Sequence, residues 1–339
     1  MATIELPVSP SELGHLIEDA YKTREPLWVW GPPGCSKSSV VAQTAKKLDI
    51  ELRDIRAVTL DPADLRGLPK VDGESTTFCP PSFWPRKGRG ILFFDELAQA
   101  EMDVQNGLLQ LTLDRWLGEY RLPDEWVVVA ASNRMSDKAG VKKVSSALLS
   151  RFLHVDLTIS TADWQEWAAN AGVHAAVRAF ISYKPDMLFQ FDPATNPRSF
   201  PCPRAWTTVG SLVSAVRPQL LQRAVAGKVG TGPAAEFMAF LELFRQLPSI
   251  DGILKDPSGH VLPTQPSLLH ALCGALAHRA RGNANLARAL CVVSSRVPDE
   301  FSVMLLRDAL AIAPRLAMDQ DVSKQIASAR KKGLLGSAA

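Results

Sequence analysis

The feature that most constrains the fold is a short apolar run that stops at a Gly/Pro turn and is followed by a helix. Leu27-Trp28-Val29-Trp30 is rich in strand formers, and regular structure must break at Gly31-Pro32-Pro33-Gly34. A helix is predicted from Lys37 towards Leu48. A strand, a Gly-rich turn and a helix in this order are the context that a phosphate-binding loop requires.

The rest of the chain divides into a strand-containing part and a helical part. Four further strands are predicted at Leu52 to Thr59, Ile91 to Phe94, Trp126 to Ala131 and Leu153 to Leu157, with helical stretches between most of them. Strands that alternate with helices imply a parallel sheet covered on both faces, so the sequence predicts an α/β fold with a parallel five-stranded sheet. After about Thr161 the predicted elements are helices, at Ala162 to Ala169, Arg204 to Val216, Ala234 to Arg245, Pro266 to Arg279, Ala284 to Ser294 and Glu300 to Ala313.

Length and composition favour a folded chain with more than one domain. The 339 residues exceed the roughly 100–200 residues of a typical domain. No apolar stretch approaches the roughly 18 residues of a membrane-spanning helix, and the first residues lack a secretory pattern, so a cytoplasmic protein without membrane association is expected. The five cysteines form no CxxC pair, and the net charge of +3 is too small to imply a polyanionic partner by itself.

The Gly/Pro turn has the residues needed to wrap phosphate groups with backbone N–H groups at the start of a helix. Lys37 would reach the β- and γ-phosphates, and the Ser38 hydroxyl would bind Mg²⁺. Ser36 stands where the GxxxxGK[ST] pattern has its last Gly, and a positive φ there would cost on the order of 1 kcal/mol. A Gly/Pro turn that precedes a Lys by chance is the alternative for this loop taken alone. The residues expected to contact the nucleotide are Gly31, Pro32, Pro33, Gly34, Cys35, Ser36, Lys37, Ser38 and Ser39.

Two other apolar strands end in polar side chains that suit phosphate chemistry. Asp95 and Glu96 follow Ile91 to Phe94, at the sheet edge where ligands bind in α/β folds. Asp95 would hold the Mg²⁺ shell, and Glu96 would polarise the water that attacks the γ-phosphate. Asn133 follows Val127 to Ser132 and can bond both the phosphate and this water, because an amide offers a donor and an acceptor. Taken alone, Asp95 and Glu96 could simply form a solvated turn, and Asn133 could simply cap a turn.

These residues resemble the AAA+ ATPases, and within them the MoxR family with its relatives that activate metalloenzymes. GPPGCSKS, FFDELAQA and AASNR look like Walker A, Walker B and sensor 1, in the right order. The resemblance implies a Mg²⁺-dependent ATPase that converts ATP and water to ADP and phosphate. It also implies an AAA+ P-loop domain at residues 1–160, an all-helical lid at 161–250 and extra C-terminal helices at 251–339.

Two arginines extend the resemblance. Arg151, in ALLSRF, is similar to the arginine finger that reaches a neighbouring subunit's γ-phosphate. Arg204, in PRA at a predicted helix start, is similar to the sensor 2 arginine that closes the lid, and Arg198 is a weaker candidate for that role. The planar guanidinium fork suits both tasks. A surface arginine and a helix-start salt bridge are the respective alternatives.

Two inserts, near Lys70 to Pro81 and Gly118 to Glu125, are similar to family segments that face the pore of a ring. Their apolar residues either grip a partner or pack in the ordinary way. These residues are Phe78, Phe83, Trp84 and Tyr120.

The resemblance implies an ATP-dependent MoxR-type remodelling chaperone. It would form a homo-oligomer, a hexameric ring, and act with a partner that carries a von Willebrand factor type A domain. A nucleic-acid-processing AAA+ motor is an alternative, although the basic clusters are as short as Lys142-Lys143 and Arg330-Lys331-Lys332. An ATP-binding assembly switch with weak hydrolysis is a second alternative, which Ser36 keeps open.

Overall fold

A computed structural model describes residues 6–137, 140–195, 198–280 and 286–331, and they form two compact units. Among them, the N-terminal unit comprises residues 6–163 and 191–195, and the C-terminal unit comprises the others. Ala284 and Lys332, which the sequence analysis assigned to a helix and a basic cluster, lie outside the described residues. In the part of the chain that is described, no helix combines the length and apolar character needed to cross a membrane.

The N-terminal unit is built on a parallel sheet. The strands of the described residues are β1 (Pro7–Val8), β2 (Leu27–Trp30), β3 (Glu51–Arg56), β4 (Leu68–Asp72), β5 (Ser75–Cys79), β6 (Gly90–Asp95), β7 (Trp116–Leu117), β8 (Tyr120–Arg121), β9 (Trp126–Ser132) and β10 (Leu153–Leu157). Six of them form one sheet in the order β1-β10-β2-β9-β6-β3, with every pair parallel, while β4–β5 and β7–β8 are antiparallel hairpins.

The predicted α/β class with a parallel sheet is confirmed, but the sheet has six strands and not five. The additional strand, β1, pairs with the edge of β10. It has two residues and begins at a proline, so it offers no alternating pattern for the sequence to reveal.

Helices cover both faces of this sheet. They are α1 (Pro10–Thr23), α2 (Lys37–Lys47), α3 (Pro62–Arg66), α4 (Met102–Asp114) and α5 (Ser146–Leu149). One face packs Leu13 and Val41 against β2, β6 and β9, and the other packs Val104 and Leu108 against the same strands. Strands β6 and β9 are buried along their whole length, which explains why they read as continuous apolar runs.

The C-terminal unit is helical, and its described residues contain no strand. From residue 161 the helices are α6 (Thr161–Asn170), α7 (Ala175–Tyr183), α8 (Pro203–Ala215), α9 (Pro218–Val229), α10 (Thr231–Arg245), α11 (Ile250–Lys255), α12 (Pro266–Arg279), α13 (Ala287–Ser294), α14 (Asp299–Ile312) and α15 (Gln320–Lys331). Apolar side chains from several of these helices form a separate core that includes Leu272, Leu290 and Leu305. A division of this part into a lid and an extension stays a prediction.

The order of the strands places three strand ends side by side. β9 lies between β2 and β6, with Trp30 opposite Ser132 and Asp95 opposite Ala131. Because all three strands are parallel and in register, the residues that follow them meet at one edge of the sheet. This edge is where the phosphate loop begins.

Candidate phosphate-binding site

The loop between β2 and α2 leaves helix N–H groups open towards an anion. Gly34 and Ser36 have left-handed backbones, with φ of 79° and 76°. Helix α2 begins directly after Ser36, and no side chain caps its first turn. N–H groups in a first helical turn have no partner within the helix, and with the helix dipole they attract negative charge. Ser36 therefore has the positive φ for which the sequence analysis expected strain.

Lys37 is a buried ammonium whose hydrogen-bond partners are uncharged. Its Nζ donates to the Gly31 carbonyl at 2.7 Å, the Pro32 carbonyl at 3.1 Å and Asn133 Oδ1 at 3.0 Å. Among the described residues no carboxylate lies within ion-pair distance of this Nζ, and burial lowers the pKa of Lys37 below its ordinary value of 10.5. A buried cation that has no ion-pair partner is costly, and the more distant charges of Asp95 and Asp137 offset its burial only in part. A phosphate group would supply the missing negative charge.

Ser38 and Asp95 lie together at the mouth of the loop. Ser38 Oγ donates to Asp95 Oδ2 at 2.8 Å, and Asp95 Oδ1 accepts the Glu96 N–H at 3.1 Å. The hydroxyl and carboxylate offer only oxygen atoms, the ligands that Mg²⁺ prefers. No cluster of three or more His, Cys, Asp or Glu side chains suited to a metal occurs in the part of the chain that is described. The pair thus fits a magnesium ion that takes its other ligands from phosphate and water.

Glu96 occupies a left-handed turn beside an arginine that the sequence analysis did not single out. Its φ of 62° and ψ of 31° are unfavourable for a non-Gly residue by about 1–2 kcal/mol. Arg56 Nη1 lies 3.6 Å from Asp95 Oδ2 and 3.7 Å from Glu96 Oε1. Arg56 ends β3, where it pairs with Asp95 of β6, so knowledge of the strand order would have been needed to find it. The guanidinium offsets part of the charge of the two adjacent carboxylates.

Asn133 directly follows β9, and the residue before it is a buried hydrogen-bonding centre. Ser132 Oγ accepts from Trp28 Nε1 at 3.1 Å and from the Ala98 N–H at 2.9 Å, and it donates to the Ala131 carbonyl at 2.8 Å. Ser132 therefore links β2, β9 and the turn after β6. From the sequence alone, Ser132 is predicted only as part of an apolar strand, because a serine there carries no separate signal.

Arg151 lies just after α5 and does not reach the loop of its own chain. Its Nη1 donates to the Ala147 carbonyl, and its buried Nε has no hydrogen-bond partner. Within the described residues, no hydrogen bond or ion pair joins Arg151 to Lys37 or Asp95. A role in a neighbouring subunit stays a prediction.

Arg204 belongs to the C-terminal unit. It is the second residue of α8, which begins with Pro203 at its first position, and it is exposed. Arg198, the weaker candidate, is exposed in the segment before this helix. The lid role of either arginine stays a prediction.

Three of the four aromatic residues in the inserts belong to the core of the N-terminal unit. Trp84 and Tyr120 are 1% and 8% exposed, with ring centroids 5.4 Å apart, and Phe83 packs on the same core. Packing is therefore the better interpretation of these residues.

The β4–β5 hairpin presents other apolar side chains to solvent. Phe78 lies beneath the Arg66 guanidinium, 4.3 Å from ring centroid to Cζ. Leu68 and Val71 are each 76% exposed. The apolar surface that this hairpin exposes therefore comes from these two aliphatic residues.

A comparison with protein families identifies the segment that contains this site. Residues 26–152 match the family described as "AAA domain (dynein-related subfamily)". The match starts one residue before β2 and includes Lys37, Asp95, Asn133 and Arg151. No curated protein matches the chain.

Several solved structures are similar to larger parts of the chain. The Thermotoga maritima RuvB Holliday junction branch migration motor is 18% identical, over 79% of this chain and 80% of that chain, with a TM-score of 0.39. NtrX from Brucella abortus in complex with ATP is 14% identical, over 98% of this chain and 69% of that chain, with a TM-score of 0.39. A protein from Cytophaga hutchinsonii is 16% identical, over 95% of this chain and 88% of that chain, with a TM-score of 0.38.

Proposed function

We propose that this chain is a MoxR-type AAA+ ATPase that hydrolyses ATP in a homo-oligomeric, hexameric ring and uses the energy to remodel or activate a partner protein in the cytoplasm. The match of residues 26–152 to the AAA domain supports the ATPase part of this proposal, since AAA+ domains in general bind and hydrolyse ATP. The resemblance of the motif sequences to the MoxR family supports the remodelling part.

One observation carries the proposal. Three adjacent strand ends bring an ammonium, a hydroxyl–carboxylate pair and an amide around one Gly/Pro loop, with Lys37 Nζ 3.0 Å from Asn133 Oδ1 and Ser38 Oγ 2.8 Å from Asp95 Oδ2. A loop that merely preceded a lysine by chance would not place it against the polar end of β9. The arrangement combines an anion site with the oxygen ligands of a hard cation.

Each residue has a task that its chemistry suits. The loop N–H groups bind the phosphates, and Lys37 lies against the β- and γ-phosphates. Ser38 and Asp95 hold Mg²⁺, which neutralises phosphate charge when bound. Glu96 accepts the proton of the attacking water, and the amide N–H groups of Asn133 remain able to donate because its oxygen faces Lys37.

Assembly controls turnover in this proposal. Arg151 acts on the γ-phosphate held by a neighbouring subunit, and an arginine finger is worth roughly 10³–10⁵ in rate in related phosphoryl-transfer enzymes. Turnover per subunit should therefore rise steeply with protein concentration, in step with assembly measured by light scattering. Constant turnover per subunit across the assembly transition would contradict an arginine supplied in trans.

The helical part of the chain would serve the same cycle. Residues 161–250 form a lid in which Arg204 contacts the bound nucleotide, and residues 251–339 form an extension. Arg204→Ala should weaken nucleotide binding or turnover, whereas Arg217→Ala, a change at another exposed arginine of this unit, should not. Equal effects of the two substitutions would remove the special role of Arg204.

Steady-state ATP turnover with two variants tests the proposed chemistry. Glu96→Gln should bind ATP and stop turnover, because the amide cannot accept the water's proton. Glu25→Gln, at an exposed acidic residue after α1, is the matched control and should behave as the wild type. Undiminished turnover in Glu96→Gln would contradict the assignment of the general base.

The proposed partner carries a von Willebrand factor type A domain, and its support is the MoxR resemblance. The Glu96→Gln variant held with ATP should retain the partner, whereas Lys37→Ala should not. A purified candidate with such a domain should therefore co-elute with the first variant and not with the second. Co-elution with DNA or RNA in its place, lost at higher salt, would favour a nucleic-acid motor.

The geometry of Ser36 favours one second candidate, an ATP-binding assembly switch with weak hydrolysis. A side chain at a left-handed position beside the phosphates can hold the loop in a geometry that binds ATP without efficient turnover. In that case the wild-type protein should assemble with ATP but hydrolyse it poorly. The Ser36→Gly variant should have a higher turnover than the wild type. Efficient hydrolysis by the wild type would dismiss the switch.

A further inference from the structure

We propose that His154 is a positioning residue that couples the strand before the phosphate loop to the segment that carries Arg151. The inference rests on the proposed action of Arg151 in a neighbouring subunit. It adds a route inside one subunit by which the nucleotide bound there affects the arginine that this subunit presents to the next.

His154 bridges two groups through both of its ring nitrogens. The Trp30 indole Nε1 donates to His154 Nδ1 at 2.9 Å, and His154 Nε2 lies 2.7 Å from the Leu149 carbonyl oxygen. An indole N–H can only donate and a carbonyl oxygen can only accept. This bonding pattern assigns a neutral imidazole with its proton on Nε2.

Each end of the bridge adjoins a functional segment. Trp30 is the last residue of β2 and directly precedes Gly31, the first residue of the loop. Leu149 is the last residue of α5, two positions before Arg151, and its carbonyl also accepts the Phe152 N–H at 3.2 Å. The start of the loop is therefore connected to the turn that carries Arg151 through a single imidazole ring. A displacement of the loop can reach that turn through these two hydrogen bonds.

Aromatic stacking holds the bridge in place. The rings of Trp28 and Trp30 stack with centroids 4.8 Å apart, and His154 lies 5.9 Å and 6.0 Å from them. Trp28 Nε1 donates to Ser132 Oγ, which also accepts the Ala98 N–H from the turn after the candidate catalytic carboxylates. The cluster thus joins both the loop and this turn to α5.

Local packing is the competing interpretation of the bridge, and the two interpretations differ in where a substitution acts. A packing defect impairs the subunit that carries it. A positioning defect impairs turnover at the neighbouring subunit's site, because the arginine presented there is misplaced.

The experiment measures ATP turnover by wild-type subunits in rings that contain an excess of inactive dopant subunits. Glu96→Gln subunits do not turn over but still present Arg151, so most wild-type sites then depend on a dopant's arginine. The dopants compared are Glu96→Gln alone and Glu96→Gln combined with Arg151→Ala or His154→Phe. Phenylalanine keeps the aromatic ring but has neither nitrogen. A dopant with His15→Phe, at an exposed position of α1, is the matched control.

The His154→Phe dopant should lower turnover per wild-type subunit about tenfold, because misplacing a catalytic group by about 1 Å can cost ~10²-fold. A Trp30→Phe dopant, which removes the other donor, should lower it in the same direction. The His15→Phe dopant should support the same turnover as Glu96→Gln alone. All mixtures are compared at equal measured incorporation.

Two results would overturn the inference, and they are distinguishable. Full turnover with the His154→Phe dopant, when the Arg151→Ala dopant lowers it, would overturn the role of His154 alone. Full turnover with the Arg151→Ala dopant would overturn the action of Arg151 in trans, and the role of His154 with it. If His154→Phe fails to assemble, His154→Leu, which also has neither a donor nor an acceptor, takes its place in the same comparison.

Discussion

Ser36 is the residue at which the loop departs most from its usual pattern. Its backbone conformation leads to a prediction about the stability of the fold. Ser36→Gly removes a Cβ from a left-handed position, where φ is 76°. The relief of about 1–2 kcal/mol exceeds the ~0.4–1 kcal/mol that glycine adds in unfolded-chain entropy. Urea denaturation of the nucleotide-free protein should therefore show a stabilisation of roughly 0.5–1 kcal/mol.

Ser39→Gly provides the matched control for this prediction. Ser39 is exposed in the first turn of α2, where the backbone is helical. Glycine there should destabilise by roughly 0.5–1 kcal/mol. If glycine lowered the free energy of unfolding at both positions, Ser36 would not be strained.

Residues at motif positions were predictable from sequence, but residues that act across strands were not. Lys37, Asp95 and Asn133 each stand just after an apolar run or its turn, so spacing alone marks them. Arg56 and His154 have their partners on strands that are distant in sequence. Their contacts depend on the pairings β3–β6 and β10–β2, which no local pattern specifies.

At the scale of elements, Arg115 closes the base of the β7–β8 hairpin. It directly follows α4 and has a φ of 64°, and its Nη2 donates to the Pro123 carbonyl at 2.6 Å and the Trp126 carbonyl at 2.8 Å. Arg115→Met leaves both acceptors without this donor. We expect a loss of roughly 1–3 kcal/mol in the free energy of unfolding, with faster amide exchange in the hairpin.

The exposed Arg121 of the same hairpin is the control for that substitution. It pairs with Asp124 at 3.4 Å on the surface, and such pairs contribute about 0–1 kcal/mol. Arg121→Met should therefore have little effect. A loss as large as that of Arg115→Met would show that the hairpin is sensitive to any change and that Arg115 has no special role.

The strands with continuous apolar runs were predicted, whereas several helices of the C-terminal part were not. The strands around Val29, Phe93 and Val129 occur as expected because burial on both faces makes their sequences uniformly apolar. Helices α7, α9, α11 and α15 were missed. Helix α9, for example, begins at Pro218 and mixes Gln, Arg and Gly with its apolar residues, so it resembles a connecting segment in composition.

At the scale of the whole molecule, a buried cysteine should make the free energy of unfolding depend on pH in the alkaline range. Cys273 is buried in the C-terminal core, and burial raises the pKa of its thiol from 9.0 to about 12. Between these values the unfolded chain loses a proton that the folded chain keeps. The free energy of unfolding should therefore fall, by up to about 1.4 kcal/mol per pH unit from this thiol, as pH rises through that range.

Denaturation of two variants between pH 8 and 11 checks this effect. Cys273→Ala should show a shallower fall in stability with pH than the wild type. Cys79→Ala, at the exposed cysteine, should keep the wild-type slope. Identical slopes for all three proteins would mean that Cys273 does not resist ionisation in the folded state.

The change from an α/β part to a helical part was predictable near residue 161, because the strand pattern stops there. The return of residues 191–195 to the N-terminal unit was not, since it depends on contacts between segments that are far apart in sequence. The roles given to Arg204 and Arg151 involve a second unit or a second subunit, so they stay predictions at this scale.

The most direct test of the account is a calorimetric titration of Mg²⁺ and ATP into wild-type and Lys37→Ala protein. Among the described residues no carboxylate lies within ion-pair distance of the buried ammonium, and its charge-assisted bonds to phosphate are worth ~1.5–3 kcal/mol. We predict saturable ATP binding by the wild type and an affinity about 10- to 100-fold lower in Lys37→Ala, with Glu96→Gln close to the wild type. Equal ATP affinity in the wild type and Lys37→Ala would contradict a triphosphate on this loop.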